Sequence, residues 1–230
     1  MGARVQTRPL SAYALYSGGV RDCLVWVDCE MTGLDLTSDA LIEVAALVSD
    51  ADLNVLGDGI DLVIKPSGSA LGAMSEFVRE MHRGSGLLSA LDDGLTLAEA
   101  ETRILDFVRQ FVPESRKAPL AGNTIGTDRA FLARDMPTFE HHLHYRSVDV
   151  SSIKELVRRW YPRVYYHAPA KTGNHRALAD VQESIEELRY YREAVFVPQP
   201  GPDSLTARSA ARRQQGRLTG AVPPPLPEEA

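Results

Sequence analysis

A mixed α/β fold, with a sheet that opens as a three-strand meander and helices packed on it, follows from three observations in this 230-residue chain. Three β-rich runs precede any helical pattern, strand-like and helix-like segments then alternate, and the last apolar stripe has helical period. Cys23–Cys29 is the first run, Leu41–Val48 the second, and Ile60–Ile64, with period-2 alternation, the third. Turn residues at 50–54 and 57–59 surround them. Thr96 and Glu99 have capping-box spacing, and they open an amphipathic helix through Ile104, Leu105, Val108 and Val112 that ends near Pro113. Pro119–Ala121 reads as a short buried strand leading to a helix that starts near Thr127 and Asp128. Tyr145–Val150 alternates again, and Ser152 with Glu155 marks the cap of a helix reaching Trp160. From Arg176 to Val195, Ala177, Val181, Ile185 and Leu188 share one helical face.

Composition divides the chain into three parts. Residues 1–21 add three arginines and no acid, which reads as a flexible arm upstream of the domain. Residues 198–230 hold seven of the 14 prolines, no aromatic residue and a charge of +1, the profile of a disordered Pro-rich tail. Because the whole chain carries −6, the middle part, 22–197, carries −10. That balance excludes a broad basic footprint on long duplex nucleic acid, whose affinity comes from Lys and Arg against phosphate. Cys23 and Cys29 sit on one strand about 20 Å apart at the usual rise, too far for a disulfide. With no apolar run long enough to span a bilayer, a cytoplasmic protein with no membrane partner is expected.

Chemistry concentrates at the end of the first strand. Side chains alternate there, so Asp28 and Glu30 point one way, and Val27 and Cys29 point into the core. Two carboxylates that close repel unless one is protonated or a cation lies between them. Alone, the pair is the ordinary end of a solvated strand. Asp128 begins a helix after Gly122-Asn-Thr-Ile-Gly126, a position the helix macrodipole favours for any acid. Asp180 lies in the first turns of the last helix, five residues after His175; alone, these read as an exposed acid and a helix-start histidine. Cys29 between the two acids is read as core, and His141, His142 and His144 as histidines at element ends with no cysteine nearby to complete a zinc site.

The combination Asp-x-Glu, Gly-Asn-x-x-Gly-x-Asp and His-x-x-x-x-Asp resembles the DEDD superfamily of 3′→5′ exonucleases in its histidine-containing branch. Across residues 24–197 the blocks Val27-Asp-Cys-Glu-Met-Thr-Gly-Leu34, His144-Tyr-Arg146, Val148-Asp-Val-Ser-Ser152 and His175-Arg-Ala-Leu-Ala-Asp180 are similar to those of the oligoribonuclease family, in the form associated with actinobacteria. The resemblance implies a ribonuclease H-like fold. It also implies a 3′→5′ exoribonuclease that cuts short oligoribonucleotides, dinucleotides above all, to 5′-mononucleotides, using two divalent cations, Mg²⁺ or Mn²⁺, per site. Asp28 would bridge both ions, Glu30 and Asp180 would hold the one beside the attacking water, Asp128 would lie nearer the second, and His175 would be the general base. Arg146, Ser151 and Thr124 would cap the substrate's 5′ phosphate, Tyr145 would reach the site of the other subunit of a homodimer, Leu34 would wedge between the bases, Phe77 would stack on one, and His82 would touch substrate near the metals. The family pattern often has Trp where this chain has Phe77 and Ser where it has Thr124. An exonuclease that trims or proofreads longer 3′ ends and a non-cutting RNA-binding scaffold are the other readings. A capped 5′ side opposes the first, and mutually repelling acids have no use in the second.

Overall fold

The computed structural model describes residues 22–170, 176–215 and 217. The arm at 1–21 and His175 lie outside them. The chain divides into two units, Met1–Ala194 and Val195–Ala230. In the first, a five-stranded sheet has the order β3-β2-β1-β4-β5, formed by β1 (Leu24–Met31), β2 (Leu41–Ser49), β3 (Val55–Val63), β4 (Pro119–Gly122) and β5 (His144–Asp149). The expected meander is there: β1 pairs antiparallel with β2, and β2 with β3. β4 joins β1 in parallel at Val25 and Trp26 alone, and β5 joins β4 in parallel.

Helices cover both faces. α4 (Leu97–Arg109) carries the expected capping box, with the Glu99 N–H donating to Thr96 Oγ1 and the Thr96 N–H donating to Glu99 Oε2. Its Ala100, Ile104, Leu105 and Val108 pack with Val25, Val27, Cys29, Val44, Ala46 and Val48, one parity of each strand, and each Val, Leu or Ile among them contributes about 1.5–3 kcal/mol when fully buried. α9 (Ala177–Ala194) lies against β1 and β2, and it buries Ala177, Val181, Ile185 and Leu188, the face expected of it. The other strand parity, with Asp28, Glu30 and Glu43, therefore faces α9. Cys23 and Cys29 are buried thiols not joined in a disulfide, Cys29 in the core as expected.

Four features depart from the expectations. Gly57 and Gly59 do not form a turn but lie inside β3, at φ +76° and +83°, beside a register shift at Ala46–Val48. A Cβ would come 2.8 Å from the Phe111 ring at Gly57 and 2.6 Å from Leu47 Cδ2 at Gly59, so the strand irregularity is written in glycine. Between β3 and α4 the chain forms α1 (Gly68–Ala73), α2 (Glu76–Gly84), α3 (Leu87–Ala90) and a 3-10 turn at Leu91–Asp93, none of them foreseen. α5 (Gly126–Asp135), α6 (Pro137–His142), α7 (Val150–Trp160) and α8 (Pro162–Tyr166) complete the first unit. α7 starts three residues earlier than the Ser152 cap implies, because Asp149 accepts from the Ser151 N–H and takes the cap position. In the second unit, within the stretch read as a disordered tail, Ser204–Gln214 is a helix, α10, capped by Asp203. Among the described residues, no helix is long and apolar enough to cross a membrane.

Candidate active site

The site is built where β1 emerges beside the start of α9. Asp28 and Glu30 share the α9-facing side of β1, and Asp180 stands in the first turn of α9. Carboxylate oxygens of these three residues lie within 4.8 Å of one another. A group of three partly buried oxygen ligands at that spacing suits a hard divalent cation. The electrostatics agree with this fit: burial first, then the charges of Asp180, Glu43 and Asp128, push the Glu30 carboxyl up to about 8, with Arg176 opposing. At neutral pH, without a cation, this carboxyl keeps its proton, and a bound divalent ion would displace that proton.

Asp128 is placed differently from the other three acids. It is 6% exposed and, among the described residues, stands outside the 4.8 Å group. The β1–β4 ladder ends at Trp26, and beyond it the Cys29 N–H donates to Asp128 Oδ1 at 3.0 Å. Burial raises the Asp128 carboxyl to about 6 against the lowering effect of backbone N–H groups, its own and that of Cys29. His175, the expected general base, lies among the residues outside the description.

The expected substrate contacts fall into three places. Thr124 and Ser151 meet: the Thr124 N–H donates to Ser151 Oγ and to Asp149 Oδ1, each at 3.0 Å, and the two hydroxyls lie 3.1 Å apart. Thr124 takes φ +51°, and a Cβ on the preceding Gly122 would fall 2.7 Å from the Val27 carbonyl, so this loop needs glycine to run close to β1. Arg146 is turned onto Tyr145, its Nε donating to the phenol oxygen at 3.1 Å and its guanidinium 5.5 Å above the ring. Leu34, Phe77 and Tyr145 are 73%, 80% and 69% exposed. His82, expected at the substrate, is instead fully buried beneath the site. Its Nε2–H donates to the Met31 carbonyl at 2.9 Å and its Nδ1 lies 3.9 Å from Glu30 Oε2.

Other residues shape the site without having been singled out from the sequence. Glu43, wholly buried on β2 and paired in register with Glu30, accepts from Arg176 Nε at 2.8 Å and from the Ala177 N–H at 3.0 Å, fastening the first residue of α9. Arg176 also reaches Asp61 at 3.4 Å. Asn123 Nδ2 donates to Ser184 Oγ, whose hydroxyl donates to the Asp180 carbonyl, while Asn123 Oδ1 accepts from Ser151 Oγ. One hydrogen-bonded chain thus runs from Asp180 to the Thr124–Ser151 pair. An acid inside the otherwise apolar run Leu41–Val48 was the available signal for Glu43.

The family model described as RNase_T, exonuclease, matches residues 25–188. The oligoribonuclease of Streptomyces coelicolor is 66% identical over 194 residues, which cover 84% of this chain and 97% of that one. The oligoribonuclease of Cutibacterium acnes is 63% identical over 198 residues, covering 86% and 98%. Among solved structures, the E. coli exonuclease I–ssDNA complex aligns with a TM-score of 0.60 at 16% identity, a likeness of fold covering 87% of this chain. The chain spans 45% of that exonuclease's length. An exonuclease model matched across the sheet and its helices, together with actinobacterial relatives aligned over almost their whole length, leads to one conclusion: this chain belongs to the oligoribonuclease family of exonucleases.

Proposed function

We propose that this chain, a 3′→5′ exoribonuclease by its family, hydrolyses very short oligoribonucleotides, dinucleotides above all, to 5′-mononucleotides. The observation that carries the proposal is the convergence of Asp28, Glu30 and Asp180 within 4.8 Å. These three, with Asp128 beside them, would hold two divalent cations, Mg²⁺ or Mn²⁺; when bound, such ions supply charge neutralisation and Lewis acidity at the scissile phosphate. His175, one residue before the anchored Arg176, accepts the proton of the attacking water. As the water oxygen bonds to phosphorus, the bond from phosphorus to the 3′ oxygen breaks, and that oxygen leaves to be protonated. His82 orients Glu30.

The length preference follows from the other end of the substrate. Thr124 and Ser151 present hydroxyls to its 5′ phosphate, and Arg146 adds the guanidinium fork that suits phosphate. Leu34 enters between the two bases, Phe77 stacks on one, and a domain charge of −10 leaves long chains little to hold. The working form is a homodimer in which exposed Tyr145 reaches the partner's site; exposed Trp160 and Tyr166 are further aromatic surface of the kind interfaces use. The compartment is the cytoplasm, where thiols such as Cys23 and Cys29 stay reduced.

Purified protein with Mn²⁺ and 5′-labelled RNAs of two to seven nucleotides tests this reading. Dimers should disappear fastest, and Asp180→Ala and His175→Ala should lose rate, the latter with little change in Mn²⁺ binding. Faster loss of seven-mers than of dimers would instead indicate an exonuclease of longer 3′ ends, and full rate in His175→Ala would remove the general-base assignment. Light scattering of the eluted protein at micromolar concentration should give twice the chain mass of 25.2 kDa.

A further inference from the structure

Along β5, ladder pairing jumps from Pro119–His144 to Leu120–Ser147, so Tyr145 and Arg146 are pushed out as a bulge between two paired positions. A bulge of two residues leaves carbonyls without ladder donors, and such groups need other partners. Arg129, the residue after Asp128 on α5, supplies them. Its Nη2 donates to the His144 carbonyl at 3.0 Å, and its Nη1 donates to the carbonyls of Tyr145 at 3.1 Å and Arg146 at 3.4 Å and to Ser147 Oγ at 3.0 Å. The guanidinium is itself held by Glu140 on α6, whose Oε1 accepts from Nε at 2.9 Å and from Nη2 at 2.8 Å. Arg129 and Glu140 are 19% and 18% exposed, unlike the flexible surface pairs of the same chemistry. Only a planar five-donor fork spans three consecutive carbonyls and a carboxylate together; a lysine, with one ammonium, does not.

We propose that Arg129, clamped by Glu140, is a positioning residue for 5′-phosphate recognition. It fixes the bulge that displays Tyr145 and Arg146, and so sets where the Arg146 guanidinium meets the substrate. This rests on the reading of Arg146 as a phosphate ligand. It adds a link between the two halves of the site, since the helix that carries Asp128 also holds the strand that carries Arg146.

The test measures KM and kcat of the full chain, with Mn²⁺, on an adenylate diribonucleotide bearing a 5′ phosphate and on the same dimer with a 5′ hydroxyl. Arg129→Gln should raise KM for the phosphorylated dimer more than it changes kcat, so that the preference for the 5′ phosphate falls about tenfold, the scale of one lost charge-assisted hydrogen bond. Arg129→Lys and Glu140→Gln, which perturb the fold less, should lose part of the preference. In an Arg146→Ala background Arg129→Gln should cause no further fall, because it acts through Arg146. Equal losses on both dimers, an unchanged preference in all three variants, or an additive loss in the double variant would each overturn the proposal. If Arg146→Ala itself kept the preference, the phosphate-ligand reading would fail. Hydrogen exchange at residues 145–148 then separates the two failures: faster exchange in Arg129→Gln shows the bulge released, and unchanged exchange removes the positioning role as well.

Discussion

Asp180→Asn should make the metal-free protein more stable while abolishing its response to metal. Two full charges 4.8 Å apart, the outer limit of the Asp28, Glu30 and Asp180 group, repel by about 3.5 kcal/mol at an effective dielectric constant of about 20. How much of that is present depends on pH. The Glu30 carboxyl is pushed up to about 8, so near pH 6 it is neutral and Asp180 faces one charged neighbour, whereas at pH 9 it faces two. All three residues are partly exposed, and water screens them to about half or less, leaving about 1–2 kcal/mol at pH 6 and about twice that at pH 9. The variant also loses an acid from the first turn of α9, about 0.3–1 kcal/mol, together with the favourable contacts of that carboxylate. The repulsive share grows with pH, so the variant gains most at high pH. At about 2–4 °C per kcal/mol for a chain of this size, Tm should rise a few degrees at pH 6 and about 4–10 °C at pH 9. The assay is thermal unfolding after dialysis against chelator, repeated with Mn²⁺. At about 100 times its Kd the ion should stabilise the unsubstituted chain by about 2.7 kcal/mol and the variant hardly at all. A variant less stable at both pH values, or one that keeps the full Mn²⁺ shift, would refute the reasoning.

Glu30 sets a second expectation: because its folded-state pKa is raised, its stabilising effect on the metal-free protein is complete below about 4.5 and is lost as pH rises through about 8. Mn²⁺ affinity should accordingly rise between pH 6 and pH 8.5 with release of a proton, read by calorimetry in buffers of different ionisation enthalpy; no release would mean that Glu30 was already charged. Glu43→Ala strips Arg176 of its buried partner and leaves the Ala177 N–H unpaired, for a loss of about 2–4 kcal/mol in urea unfolding; a loss under about 0.5 kcal/mol would show that α9 is held elsewhere. Gly59→Ala, at φ +83° with a Cβ 2.6 Å from Leu47 Cδ2, should lose about 1–3 kcal/mol, while Gly84→Ala, with open space around it, should be neutral or stabilising; equal effects would contradict the strain argument.

What could be read from the residues depended on how local the cause was. The meander, the Thr96–Glu99 cap and the buried face of α9 rest on periodicity and short-range hydrogen bonds, and all were legible. The Asp28–Glu30 pair was legible because strand alternation is a local rule, and Asp180 was legible only as part of a pattern. Gly57 and Gly59 misled because glycine at positive φ serves a bulge as well as a turn, and the difference lies in Phe111 and Leu47, far along the chain or across the sheet. Arg129 and the buried seat of His82 were invisible for the same reason, and Glu43 showed only as an acid in an apolar run: each is defined by partners that only the tertiary fold brings near. α1 to α3 are short, and α2 buries His82 alone, so their apolar pattern is too sparse to announce a helix.

The parting of β4 from β1 after Trp26 has a consequence for how this fold tolerates change. The acids sit where β1 loses its strand partner on one side: upstream β4 pairs with that edge, and downstream Asp128 stands in for it at Cys29, while the β2 side stays paired to Met31. Asp128 is therefore part of the architecture before it is part of any chemistry, the plug in an unzipped edge. Two more residues of parallel pairing would give the Cys29 N–H a strand partner and displace that plug without altering a single acid. The length of β4, four residues from Pro119 to Gly122, is in this sense as much a determinant of the site as the carboxylates that line it.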